Sequence, residues 1–267
     1  YDGSGNIADI EITLNQFETF VVATRVPEDY PPDANLENPP SGVQGIPYPI
    51  TNRDALIGML IESDKNIAVT MGGANGNMSE FRVGRDHGVD QIVGLDKIGN
   101  EFIFIEGNPT QNPQDYDNAI IVAHYDDTAV FLNGSNSATV TLTAGQYYSI
   151  EGDQYSSGGN IYVRTSKNVY AYQSIANGST ANFDMYFVPP LSCTSLESIE
   201  TISDIKSNAG GNWGGTFITI VTTASASVTI ADYNNTTPTW TGAITTTGVT
   251  INDISNAATG AEKSYGR

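Results

Sequence analysis

The sequence predicts an all-β protein made of repeated antiparallel β-modules, sandwich-like or barrel-like, and three observations carry that expectation. Val, Ile, Thr, Tyr and Phe are plentiful in the 267 residues whereas Leu, Lys and Arg are scarce, a balance that favours pleated, half-buried strands over helices. Glycine occurs 27 times and the apolar fraction is 39%, which supplies tight turns around a filled core. Stretches of the chain also echo one another in register, the mark of an internal repeat.

Taken in order, Ile12-Thr13-Leu14 and Phe17 to Val21 give the first strand signals. Arg25 to Asp54 follows, with Pro27, Pro31, Pro32, Pro39, Pro40, Pro47 and Pro49. Proline removes a ladder donor and fixes φ, so this stretch reads as a long loop. Ser63-Asp64-Lys65-Asn66-Ile67-Ala68-Val69 then reappears as Thr165-Ser166-Lys167-Asn168-Val169-Tyr170-Ala171, and the same offset, Asn66 to Asn168, carries Ala74-Asn75-Gly76 onto Ala176-Asn177-Gly178. Downstream, Phe102 to Ile105 is echoed by Phe217 to Ile220, and Thr128-Ala129-Val130 by Ala226-Ser227-Val228. The expected organisation is an incomplete first β-module over 1–99 with a Pro-rich insertion at 25–54, a complete central module over 100–190, and a linker with an incomplete third module over 191–267.

Within the central module, Ala119 to His124 is an apolar run and Thr128 to Leu132 a second, closed by Asn133-Gly134, where both residues tolerate positive φ. Ala138 to Leu142, Gln146 to Glu151, Asn160 to Thr165 and Asn168 to Gln173 complete six short strands. That density of strands without a long helix points to a sandwich or barrel. Ser195 to Lys206 reads as a short helix.

Thirty acidic residues against 11 basic ones give a formal charge of -19. Phosphates would meet a repelling field, which excludes nucleic acid and an anionic bilayer as partners and leaves cationic partners, Ca²⁺ and neutral sugars. Such acidity also serves plain solubility outside the cell. No run of about 18 apolar residues is present to insert in a membrane. Tyr1-Asp2-Gly3-Ser4-Gly5 is no signal peptide, so any export signal is expected to be removed or omitted. The lone Cys193 is expected to form a disulfide to a cysteine outside this segment.

Catalytic patterns are missing from the sequence. Only His87 and His124 could serve a triad or a zinc site, and no G-x-S-x-G, H-E-x-x-H or phosphate-cradling loop surrounds them, so an enzyme is not expected. Asp115, Asp117, Asp126 and Asp127 are the candidate ligands for a structural Ca²⁺, a hard cation that takes clustered oxygens from loops. Their spacing is not that of an EF-hand, and the same residues suit turn formation. Tyr147, Tyr162, Tyr170 and Tyr172 are the candidate binding surface, since Tyr170 and Tyr172 alternate onto one side of a strand. The competing reading makes them half-buried sheet residues. Asn133-Gly134-Ser135 fits the N-linked glycosylation pattern.

Several of these segments together resemble the N-terminal domain of IgGFc-binding proteins. The order Ile120-Ile121-Val122-Ala123, Asp127-Thr128-Ala129-Val130, Val140 to Gln146 and Thr165 to Ala171 matches that family's succession of a strand, a D-x-T-x-V hairpin, an L-x-x-G-x-x-Y turn and an S-x-K-P-V strand. Asn66 and Asn168 replace the proline. Asp86-His87-Gly88-Val89-Asp90-Gln91 with Gly99-Asn100-Glu101-Phe102 is similar to the family's D-H-L-V-E-Q … W-G-K-E-F linker, and Trp213 to Phe217 repeats the theme. The resemblance implies a large, secreted, multimodular protein of adhesion or surface matrix, whose bacterial members are adhesin-like exported proteins. Asp127-Thr128-Ala129 resembles the short O-glycosylation acceptor of such bacteria, which singles out Thr128. The expected role is therefore a non-enzymatic adhesive or structural module at the cell surface, gripping a protein or glycan ligand. The alternatives are a carbohydrate-binding module and a self-assembling filament or surface-layer subunit.

Overall fold

The computed structural model describes residues 10–22, 56–76, 86–106, 108–109, 117–156, 159–175, 177–178 and 185–191, with five short strands between 222 and 266. The chain divides into two units, Tyr1–Leu56 and Ile57–Arg267. In the first, the described stretch is extended around a turn at Gln16–Phe17, where Phe17 takes φ +72. The Asn15 backbone and side-chain amides both donate to Glu18 Oε2, at 2.8 and 3.1 Å. Those bonds favour the ionised carboxylate and hold Glu18 below its ordinary range.

The second unit is built from strands. β1 (Val69–Gly76) and β2 (Asp86–Ile92) form an antiparallel hairpin pair. β3 (Gly99–Ile105), β5 (Asn118–Ala123), β6 (Thr128–Leu132), β7 (Val140–Leu142), β8 (Tyr147–Glu151), β9 (Asn160–Ser174) and β11 (Met185–Phe187) make one seven-stranded antiparallel sheet. β4 (Asn108–Pro109) and β10 (Asn177–Gly178) pair in parallel. Further on, β12 (Thr222–Thr223), β15 (Ile254–Ser255) and β16 (Ser264–Gly266) form a small sheet, and β13 (Ile230–Asn234) pairs with β14 (Thr239–Ile244). Two single 3₁₀ turns, Leu95–Lys97 and Gly152–Gln154, are the helical content among the described residues. The fold is all-β and almost wholly antiparallel.

β9 is the spine of the large sheet. Its first half pairs with β3 and β6, and its second half with β5 and β11. β8 continues beside β5 and β7 beside β6. The end strands β7 and β8 approach each other, so the sheet is bent into a nearly closed, barrel-like form. The sequence reading divided this spine into two strands at Thr165–Asn168, but the backbone stays extended throughout. Ser166, Lys167 and Asn168 are exposed, as in a turn. Thr165 Oγ1 nevertheless donates to the Lys167 carbonyl at 2.7 Å, and both flanks are held by paired strands.

Odd-numbered β9 side chains Ile161, Val163, Val169 and Ala171 point inward with Phe102, Phe104, Ile121, Val130 and Ile150, forming one core. Each such large apolar group contributes about 1.5–3 kcal/mol when removed from water. Asn133 and Gly134 take φ +49 and +75 in the turn after β6, as their residue types predict. Gly99 permits a close approach elsewhere: a Cβ there would run into the ring of Pro190, where the chain returns to donate from Leu191 N to Glu101 O at 2.8 Å.

The two echoing segments have different surroundings. Thr165–Ala171 lies inside β9, whereas 63–68 precedes β1 as an exposed irregular stretch. The Pro-rich insertion, the expected 195–206 helix and the side chains of the third module lie outside the described residues.

Candidate binding face

The outer face of the second half-sheet is laid out in rows by strand register. Val122 stands opposite Tyr147 on β8 and Tyr170 on β9. Ile120 stands opposite Ser149 and Tyr172, and Tyr172 opposite Phe187. Asn118 stands opposite Glu151 and Ser174, and Ser174 opposite Met185. Alternation sends the side chains of all three rows to the face away from the core.

The β1–β2 pair covers part of this face. Met71, Ile92 and Ile57 pack on the cluster of Ile120, Tyr172 and Met185. Asp90 Oδ2 accepts from Phe187 N at 2.7 Å, which ties β2 to the short β11. Tyr172 meets Phe187 edge-on at 5.9 Å and 72°. Burial, then the neighbouring Tyr170 and Asp90, push its phenol well above the ordinary value.

The Tyr147–Val122–Tyr170 row stays half-buried. Beside it Tyr125 is 46% exposed and stacks edge-on with His124 at 4.5 Å and 84°. Tyr170 has its phenol raised by partial burial first, then by the nearby Asp96 and Tyr125. Asp96, in the 3₁₀ turn after β2, pairs with Lys97 at 2.9 Å; that bond keeps its carboxyl below the ordinary range. Half-exposed tyrosines with a carboxylate at the rim can offer ring faces and a charge to a partner.

At one end of this row the chain turns a corner. Between the pairs Ala123↔Val169 and Val130↔Thr165 the β5–β6 side is three residues longer than β9, which makes room for the turn at 124–127. Lys167 Nζ donates to the Asp126 carbonyl at 2.6 Å, and Ser166 Oγ accepts from Ala129 N at 2.8 Å. Thr128, fully buried, donates to the Tyr125 carbonyl at 2.6 Å. The D-x-T segment and the S-x-K segment thus clasp each other. The sequence profile described as IgGFc binding protein matches residues 3–265, nearly the whole chain. The chain belongs to the IgGFc-binding protein family. This is an extracellular family of binding proteins. No curated protein and no solved structure matches the chain. Among the described residues, no helix is long and apolar enough to cross a membrane.

In this IgGFc-binding family member the residues singled out from the sequence are dispersed. Tyr147 and Tyr170 share the half-exposed row, Tyr172 lies in the covered row, and Tyr162 is buried on the other half with Ile103, Ile105 and Leu191. Asp126 uses Oδ1 to accept from Ala144 N at 2.9 Å, and Asp127 takes φ +50, so both shape the corner. Asp117 is buried at the opposite end of β5 beside Tyr155. Among the described residues no three His, Cys, Asp or Glu groups converge on a point suited to a metal ion. Asn133 is exposed, with its side chain accepting from Tyr162 N at 3.3 Å and donating to Gln154 O at 3.4 Å. Asp115 and Cys193 lie outside the described residues. Sequence reasoning passed over Tyr125 and Asp96. Tyr125 directly follows an alternating strand and was open to that inference, whereas only the fold brings Asp96 near Tyr170.

Proposed function

We propose that this chain is a non-enzymatic binding module of an extracellular surface protein, with an adhesive or structural role, and that it grips a protein partner through Tyr147, Val122, Tyr170 and Tyr125. The observation that carries this reading is the division of the outer face: Met71 and Ile92 of β1–β2 pack on the buried Ile120, Tyr172 and Met185, while Tyr147, Val122 and Tyr170 beside them stay half-buried. Tyrosine suits such a contact because it offers a large, stiff, amphipathic area with few rotamers to freeze. The family membership supports a binding role over a catalytic one.

The test immobilises the whole chain and passes over it the surface-matrix fraction of the source, once intact and once digested by protease with its glycans preserved. A Tyr147→Ala/Tyr170→Ala double variant, checked for an unchanged urea midpoint, is expected to retain at least about tenfold less of the intact fraction, equivalent to about 1.4 kcal/mol. Equal retention by the variant, or full retention of the protease-treated fraction, defeats the reading.

A further inference from the structure

Building on that reading, we infer that the partner of the tyrosine row is a basic polypeptide segment, with an Arg or Lys side chain seated over Tyr170 and Tyr125 against the carboxylate of Asp96. Ring faces are negative, so a cation above them is attracted, and guanidinium groups stack there best. The chain already uses this pairing internally: Arg164 places its guanidinium carbon 4.0 Å from the centre of the Phe131 ring.

Gly99 and Ala123 both pair with Val169, one on each side of β9, which brings the Leu95–Lys97 turn with Asp96 and the corner with Tyr125 up to the neighbouring Tyr170, and the paired side chains of Lys97 and Asp96 are 64% and 72% exposed. An exposed pair of this kind exchanges partners at little cost, so an incoming cation can take the place of Lys97. The field of the whole molecule works in the same direction. A net charge of -19 raises the local concentration of a basic chain and speeds its encounter, while repelling acidic competitors. The tyrosine row then converts diffuse attraction into a fixed register, because ring faces and a carboxylate stand together there on a half-open sheet face.

The experiment titrates the full chain into a fluorescent peptide of about twelve residues repeating Gly-Arg-Gly-Lys, and into a twin with Gln at every basic position, from about 50 to about 300 mM salt. The basic peptide is expected to bind and the Gln peptide to bind at least about thirtyfold more weakly. Tyr170→Ala and Tyr125→Ala, which leave the net charge unchanged, are each expected to weaken the basic peptide by about fivefold to thirtyfold, and Tyr170→Phe to restore it. Asp96→Asn is expected to weaken it by about threefold and to flatten the salt dependence.

Wild-type affinity in both alanine variants overturns the inference, because a general attraction of acidic protein for basic peptide ignores the rings. Equal binding of the Gln peptide, with loss in the alanine variants, overturns the cationic partner and leaves the binding face standing. Should Tyr170→Ala lose its fold, the half-exposed Tyr125→Ala and the ring-retaining Tyr170→Phe decide the matter.

Discussion

Residues 160–165 and 169–174 of β9 send their odd-numbered side chains into one shared core, Ile161 and Val163 in the first stretch, Val169 and Ala171 in the second. On the outside the two stretches part company. Tyr162 is 1% exposed, packed with Ile103 and with Leu191, where the chain returns to bond Glu101. Tyr170 has the same parity and a similar neighbourhood in sequence, yet stays half-buried at the margin of the cluster on which Met71 and Ile92 pack. Strand alternation decides which side a tyrosine takes; a distant segment decides whether it is buried there or offered to a partner.

The strongest way to break this comparison is to strike the shared core from each half. Phe104→Ala, beside Phe102 at 6.2 Å in the first half, is expected to cost about 3–5 kcal/mol, and Ile121→Ala in the second about 2–5 kcal/mol. Because β9 threads both halves, each substitution is expected to lower one common unfolding transition. Hydrogen exchange measures this directly: amides of β3 and of β5 should lose protection together in both variants. Protection surviving in β3 after Ile121→Ala would make the halves independent units and the shared spine a mere connection.

The next effect belongs to the corner that joins the halves. Thr165 is 1% exposed and bonds the Lys167 carbonyl. Thr165→Val keeps the shape and leaves that carbonyl without this donor, for an expected loss of about 1–3 kcal/mol read from the urea midpoint. A midpoint equal to that of the wild type would mean that this stretch of β9 needs no hydroxyl and that the paired flanks alone keep it extended.

Much of this was legible in the residues themselves. The apolar run Ala119 to His124, the Asn133-Gly134 turn and the facing of Tyr170 with Tyr172 all follow from alternation and turn chemistry. The D-x-T and S-x-K segments were visible as motifs, but their mutual grip through Lys167 and Ser166 was not, since motif spacing does not say which strands become neighbours. The continuity of β9 was hidden because Ser166-Lys167-Asn168 has the polarity of a turn. Tyr162 and Tyr170 looked alike for the same local reason, and their difference lies in contacts far along the chain.

The smallest expected effect tests whether the cover over the second half is closed. Burial, together with Tyr170 and Asp90, raises the Tyr172 phenol well above the value of about 10 that it has in an unfolded chain. Below that value both states hold the proton and stability does not depend on it. As pH rises past about 10 the unfolded chain releases the proton first, so the folded state holds more protons and stability falls. Tyr155, buried and raised further by Asp117, adds a decline of the same sign. The urea midpoint is therefore expected to be level to about pH 9 and to fall by pH 11, less steeply in Tyr172→Phe, which keeps the ring against Phe187 and removes the proton. An identical slope in that variant would mean that Tyr172 ionises without unfolding, hence that β1–β2 opens on its own. The covered row would then join the tyrosine row as accessible surface, and the contrast between the two halves of β9 would widen.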